Sequence, residues 1–544
     1  MRRRSLLVTS LLLFLSTGLP LYSPGAGVAR AVHARIPALP TLPALPTLPA
    51  LPTLPALPTL PALPTLPALP AAPSPTATGA ITTPTVPPSP TPATSAILPA
   101  IPLTRISADP LTATASAPAI SSTLGQHASE VEPAVSSFGG VTVAVFQVGR
   151  LYDGGSMAIG WATSTGPNSP WRQGLLPGLT KGQAPAGPFN RLSDASVAYD
   201  ARHRVWLVSS LAVTDDGRGR VARGTVVVNR SGDGLTWTGP YTVSAAPSGS
   251  DGFYDKDWIT CDDTPASPYY GYCYAQWDSS GKHDLLLMSA SLDGGKTWSP
   301  AVAPAGRPYG LGGQPVARPD GTVVVPALGE SGRIIAYSSR DGGATWGPAV
   351  TVAAQRDHDV AGHLRTEPLP SAAVDGTGTV YVAWQDCRFE ARCGANDIVL
   401  SRSPDGVAWS PPARVPIDPV GGGADHFIPG LGVDRATRGA RAHLALAYYS
   451  YPAALCLPAT CQLYAGFTSS NDGGATWGAP RWLAGPMPLG LLPRTSLGAM
   501  VGDYIATTFS GGDAVPVLAV ANLSPIPGRF DEAIYAARIS PNRR

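Results

Sequence analysis

From about residue 131 onward, apolar and polar positions alternate in short runs separated by Gly, Asp, Ser and Pro. That period of two reads as half-buried β-strands joined by tight turns. Three such runs, WITCD (258–262), YGYCYAQW (270–277) and DLLLMSAS (284–291), precede the segment SLDGGKTW at 291–298. The same triplet recurs in units starting near residues 131, 192, 256, 313, 370, 426 and 497. The last unit (GDYIATTFS, AVPVLAVAN, EAIYAARIS) has no fourth run after it, and PLTRISADP at 102–110 is placed to supply one from the other end of the chain. The expectation is an all-β fold of repeated four-stranded antiparallel sheets.

A second pattern rides on the first. SxDxGxTW occurs as SLDGGKTW (291–298), SRDGGATW (339–346) and SNDGGATW (470–477), with shortened copies SGDGLTW (231–237) and SPDGVAW (403–409) and a worn one, STGPNSPW (164–171). Its chemistry is that of a hairpin clasp. Asp accepts from the N–H groups of a tight turn, Gly takes a positive φ, and Trp packs back on the sheet. The structural residues are Asp233 and Trp237, Asp293 and Trp298, Asp341 and Trp346, Asp405 and Trp409, Asp472 and Trp477.

The chain before residue 131 has a different texture. Arg2, Arg3 and Arg4, an apolar run from Leu6 to Leu15 and small residues up to Ala29-Arg30-Ala31 have the layout of a secretory signal peptide over 1–31, cut near Ala31 or Ala34. From Pro37 to Pro73 a proline falls at every third position in the unit LPALPT. Three residues per turn is the polyproline II period, so this segment is expected to be a semi-rigid rod about 110 Å long at ~3.1 Å per residue. Residues 74–98 are rich in Thr, Pro, Ser and Ala and complete a stalk over 32–98. Residues 99–130 form a linker that carries the closing strand, and 131–544 hold the repeats.

Composition separates these parts. Of 60 Pro, 20 lie between residues 31 and 100, whereas much of the Gly sits in the clasps and connecting loops. The formal charge of +2 includes Arg2, Arg3, Arg4 and Arg30, so the processed chain sums to −2. It lacks the concentrated positive field that nucleic acid demands. No membrane insertion is expected after signal cleavage, and the stalk is a candidate for cell-wall association. The six Cys form three sequence-local pairs, Cys261 with Cys273, Cys387 with Cys393 and Cys456 with Cys461. An even number in an exported chain reads as disulfides. No CxxC occurs, and His358 and His363 with Asp357 and Asp359 read as solvated loop residues, so neither a metal nor a cofactor is expected.

The SxDxGxTW clasps are similar to the Asp boxes, or BNR repeats, of secreted bacterial sialidase-like β-propellers, and the resemblance covers 131–540. In that family a box joins the third and fourth strands of a four-stranded blade. Seven blades are favoured here, with six, the sialidase number, as the alternative. Function is then expected on the face opposite the boxes, where the loops concentrate Asp255, Asp257, Arg365, Glu367, Asp386, Arg388, His426, Arg494 and Tyr504. The resemblance implies an exo-α-sialidase acting on terminal acidic sugars of an extracellular glycan or glycoprotein. Matched by position in the blades, Tyr504 is the nucleophile, Glu367 its activator, and Asp257 and Asp386 further catalytic carboxylates. Arg365, Arg388 and Arg494 would grip the substrate carboxylate, with Asp255 and His426 lining the site. The family's xRIP signature occurs only as ARIP at 34–37, outside the repeats, so a non-catalytic propeller that binds glycan or protein through the same face stands as the alternative.

Overall fold

The computed structural model describes residues 101–111, 125–215, 221–247 and 253–541. The expected signal peptide (1–31), the rod and stalk (32–98) with ARIP, and residues 112–124 of the expected linker lie outside the described residues.

Alternating runs condense into successive antiparallel groups of strands among the described residues, three of which are joined in one 12-stranded sheet. Sheet I spans 126–175, II 191–245, III 255–302, IV 310–354, V 371–414, VI 425–488 and VII 506–536. In each, the chain meanders outward from an inner strand. The inner strand of sheet II, Arg191–Asp200, pairs with Val205–Asp215, which pairs with Val221–Ser231 and then Thr238–Ala245. Sheet III replaces its fourth strand with isolated bridges from Met288 to Val302 and from Leu285 to Tyr309. Sheet VII has only three strands of its own, and Thr104–Arg105 pairs antiparallel with Glu532–Ala536 as its outer strand. A parallel contact of Ser129 with Glu532 also joins sheet VII to sheet I.

The inner strands stand against one another in a closed circuit. Gln126–Phe138 packs on Arg191–Asp200, then Asp255–Cys261, Val316–Ala317, Ser371–Val374, Asp425–Val433 and Ala506–Ser510, which returns to Gln126–Phe138. A cavity of about 170 Å³ runs inside the circuit and is lined from every inner strand, among them Ala134, Val197, Ile259, Val316, Ser371, Leu431 and Thr507. The apolar core lies between neighbouring sheets. Val145, Ile159, Val208 and Val227 join sheets I and II, and Tyr381, Leu400, Leu444 and Leu446 join V and VI. Side chains that alternate along each strand thus serve two different neighbours, which is why most strands are buried on both faces.

Each Asp-bearing clasp joins the third strand of its sheet to the segment that follows it. In the copy at 291–298, Asp293 Oδ1 accepts from the backbone N–H of Lys296 (2.9 Å) and of Thr297 (3.0 Å), while Thr297 Oγ1 donates to Oδ2 (2.7 Å) and Gly295 N–H donates to Ser291 Oγ (2.9 Å). Asp341, Asp472, Asp233 and Asp405 accept in the same way. Partial burial pushes Asp233 and Asp293 up, but these donors win and pull both down to about 2. The three disulfides join the three sequence-local pairs; Cys261–Cys273 ties adjacent strands of sheet III at one register position. Among the described residues no helix is long and apolar enough to cross a membrane.

Candidate functional site

The inner strands begin on the face opposite the clasps, and there several of them break register. Breaks fall between Val131 and Ala134, Ser193 and Ser196, Asp255 and Trp258, and Phe427 and Gly430. Each break holds a non-glycine residue in the left-handed region: Glu132 (φ 55°), Asp194 (52°), Lys256 (42°) and Ile428 (51°). Such a residue costs on the order of 1–3 kcal/mol and is retained where the surroundings over-determine it. Here the bulges place Glu132, Asp194 and Lys256 at the mouth of the circuit.

The crossover between sheets IV and V arches toward the hairpin 494–499. Leu364 bridges Ala499, and Arg365 N–H donates to Ala499 O at 2.8 Å. Gly498 (φ +127°) permits this approach, because a Cβ there would lie 2.2 Å from His363 O. Arg365 is thereby delivered onto Asp503, with Nε 2.8 Å from Oδ1 and Nη2 bonded to Oδ2. A polar chain continues from Asp503 N–H to Glu132 Oε1 (3.3 Å), from Gln147 Nε2 to Glu132 Oε2, and from Arg150 Nη1 to Gln147 Oε1 (2.8 Å).

The mouth is acid-rich. In the mouth and the layer beneath it, the carboxyl groups of Glu132, Asp194, Asp255, Asp257, Glu367 and Asp503 surround the cations Arg150, Lys256 and Arg365. Burial, and secondarily the neighbouring acids, push Asp255 up to about 7 and Glu367 up to about 7, and drive Glu132 and Asp257 well above the carboxylate range. Burial alone would lower Arg365, but the carboxylates of Asp503, Glu132 and Glu367 outweigh it and fix the guanidinium as a cation. Asp255, Arg365 and Glu367 are half-buried and face solvent, whereas Lys256 and Asp257 are closed off. Lys256 Nζ lies 3.7 Å from the Tyr504 ring centre and 4.5 Å from that of Trp258, a cation held by two aromatic faces across the axis.

The structure groups some of the sequence-derived candidates and separates others. Asp255, Arg365 and Glu367 share the mouth, with Asp257 and Tyr504 in the layer beneath. Tyr504 is 3 % exposed, its hydroxyl donates to Ala195 O at 3.2 Å, and burial followed by the surrounding carboxylates raises its phenol far above the usual range. Its ring forms a wall against Lys256 and Trp258. Arg388 is bound elsewhere, its Nε 2.9 Å from Asp386 Oδ1 and its Nη2 2.7 Å from Asp386 Oδ2. Asp386 is itself buried and accepts from Trp384 Nε1 (3.0 Å) and Arg356 N–H (3.2 Å), so this pair braces the loop stapled by Cys387–Cys393. Arg494 is exposed on the hairpin, its backbone paired with the Gln126 side chain. The three arginines therefore hold separate partners.

His426 is buried in sheet VI and sits edge-on to Tyr448 at 5.6 Å. It lies beside Asp397 and Asp418, and the three offer ligand atoms within 4.8 Å of one another. His358, read as a solvated loop residue, is partly buried: its Nδ1 lies 3.1 Å from Cys393 O and its Nε2 3.9 Å from Asp425 Oδ2. Glu132, Asp194, Arg150, Asp397 and Asp418 escaped the sequence reading. The available signal for the first two was a charged residue inside an otherwise apolar inner run, in SEVEPAV and RLSDASV.

No protein-family model matches this chain, and no curated protein matches it. Among solved structures it is similar to the Hadza microbial sialidase Hz136, at 15% identity over 77% of this chain and 68% of that one (TM-score 0.38). It is also similar to the intramolecular trans-sialidase from Ruminococcus gnavus, at 12% identity over 76% and 95% (TM-score 0.36). A polysaccharide lyase, an ulvan lyase bound to -[GlcA(1-4)Rha3S]-, is similar at 11% identity over 77% and 96% (TM-score 0.45). Likenesses at this level carry no residue-by-residue correspondence.

Proposed function

We propose that this chain is a secreted seven-bladed Asp-box β-propeller that recognises extracellular glycan as a binding module through the mouth opposite its boxes. The closed circuit of inner strands, the cavity they share and the outer strand contributed by Thr104–Arg105 support the seven-bladed reading. The observation that carries the function is the charge state of the mouth. Arg365, its partly exposed cation, is already neutralised by Asp503, and the neighbouring carboxyls of Asp255 and Glu367 are lifted to about 7. An anionic sugar would find no unpaired, solvent-facing guanidinium among these residues, so the substrate class narrows to neutral or amino sugars. Asp255 and Glu367, poised near neutrality, both donate and accept, which suits hydroxyl-rich ligands.

The sialidase chemistry that the resemblance implies asks for a reactive Tyr and three convergent guanidiniums. Buried Tyr504 and the separately paired Arg365 and Arg388 do not support it. A second reading is hydrolysis of a neutral glycoside with Asp255 and Glu367 as an acid–base pair, favoured by the position of both near 7. Calorimetry and turnover assays of the purified protein on neutral, amino and acidic oligosaccharides separate the readings. Binding of a neutral or amino sugar, weakened about tenfold or more by Asp255→Asn or Glu367→Gln without any turnover, is expected; tenfold corresponds to about 1.4 kcal/mol, one hydrogen bond to a charged group. Turnover abolished by both variants would select hydrolysis, and binding of acidic sugars alone would refute both.

A further inference from the structure

We propose that Asp397, Asp418 and His426 form a divalent metal site at the junction of sheets V and VI, with Arg414 as the residue that positions both carboxylates. Asp397 opens the third strand of sheet V, Asp418 follows that sheet's last strand, and His426 lies in the first strand of sheet VI. Their ligand atoms lie within 4.8 Å of one another, close enough for one ion after small side-chain adjustments.

The way Arg414 is bound argues for a ligand set and not for a closed ion-pair cluster. Its Nε donates to Asp397 Oδ1 (2.7 Å) and its Nη2 to Asp418 Oδ1 (2.5 Å), while Nη1 is used by the Asp418 backbone carbonyl (2.6 Å). The guanidinium thus occupies one oxygen of each carboxylate. The other Asp397 oxygen, Oδ2, is buried without a hydrogen-bond partner, and so is His426 Nδ1 on a residue only 2 % exposed. Two buried atoms able to offer lone pairs, on neighbouring residues from different sheets, have no partner of their own. An arginine that grips the outer oxygen of each ligating carboxylate is the outer-shell arrangement that orients metal ligands.

Charge balance points the same way. Glu390, on the loop stapled by Cys387–Cys393, accepts from Gly421 N–H and adds to the field at both Asp397 and His426. Asp397, Asp418 and Glu390 against Arg414 leave two negative charges for a dication. A donor set of one imidazole nitrogen and two carboxylate oxygens suits Zn²⁺ or Mn²⁺ and is a poor match for Ca²⁺, which takes oxygen ligands. Asp418, the least buried of the three, opens the site toward solvent.

The test is metal content and thermal unfolding of the purified full chain after dialysis against ZnCl2, MnCl2 or CaCl2. One equivalent of Zn²⁺ or Mn²⁺ retained, a Tm raised by several degrees with that metal and not with CaCl2, and affinity at least about tenfold weaker in Asp418→Asn are expected. Asp418→Asn is the primary variant because it sits in a loop; His426→Gln, in the core, should remove the equivalent as well. Metal retained equally by Asp418→Asn, or no metal retained and no shift in Tm, would overturn the site and leave Arg414 as the only cation of the cluster.

Discussion

Single carboxyls in this protein are pulled in two opposite directions, and the pull follows their place. At the clasps, turn N–H groups hold Asp233 and Asp293 down at about 2, while at the mouth burial lifts Asp255 and Glu367 to about 7. The signs differ accordingly. A depressed carboxyl contributes stability above its unfolded value near 4 that is lost as pH falls through about 2. A raised one contributes stability that is complete below its unfolded value and lost as pH rises through about 7. Urea unfolding across pH 2–9 should therefore find maximal stability near pH 4. Glu367→Gln should flatten the decline between about pH 4 and 7, by on the order of 1–3 kcal/mol at pH 8. A stability maximum at or above pH 7 in the parent would contradict the reading of the mouth as an uncompensated acidic cluster.

At the scale of the element, the clasp links sheets as well as closing hairpins. Gly295 has φ +79°, and a Cβ there would meet Leu207 of the preceding sheet at 2.8 Å; Gly406 stands in the same relation to Val324 at 2.5 Å. Gly295→Ala should cost about 1–3 kcal/mol from backbone strain and overpacking together, measured as a lower denaturation midpoint with an unchanged slope. No loss would show that the turn relaxes freely. The clasps, the strand triplets and the local Cys pairs were legible in the sequence because each is a short-range pattern. The mouth was legible only in part. Asp255, Arg365 and Glu367 stand in visibly charged loops, but Glu132 and Asp194 reach the mouth through bulges inside apolar strands, and bulges leave no mark on a period of two. The pairing of Arg388 with Asp386 and the burial of Tyr504 depend on packing between sheets, which position along a blade does not encode. Asp397, Asp418 and His426 were invisible for the same reason: two sheets bring them together, and no spacing does.

At the scale of the molecule, all the inner strands line one shared cavity, and those of sheets I, II and III carry Glu132, Asp194 and Asp255 to its mouth. On the proposed reading, the pairing of Arg365 with Asp503 and the lifted carboxyls of Asp255 and Glu367 direct the mouth to neutral or amino sugars instead of acidic ones. Hydrogen–deuterium exchange with and without a saturating neutral or amino oligosaccharide tests this claim most directly. Protection confined to 253–258, 364–368 and 499–504 is the predicted result. Protection at the clasp turns 231–237, 291–298 or 339–346, with the mouth unchanged, would contradict it.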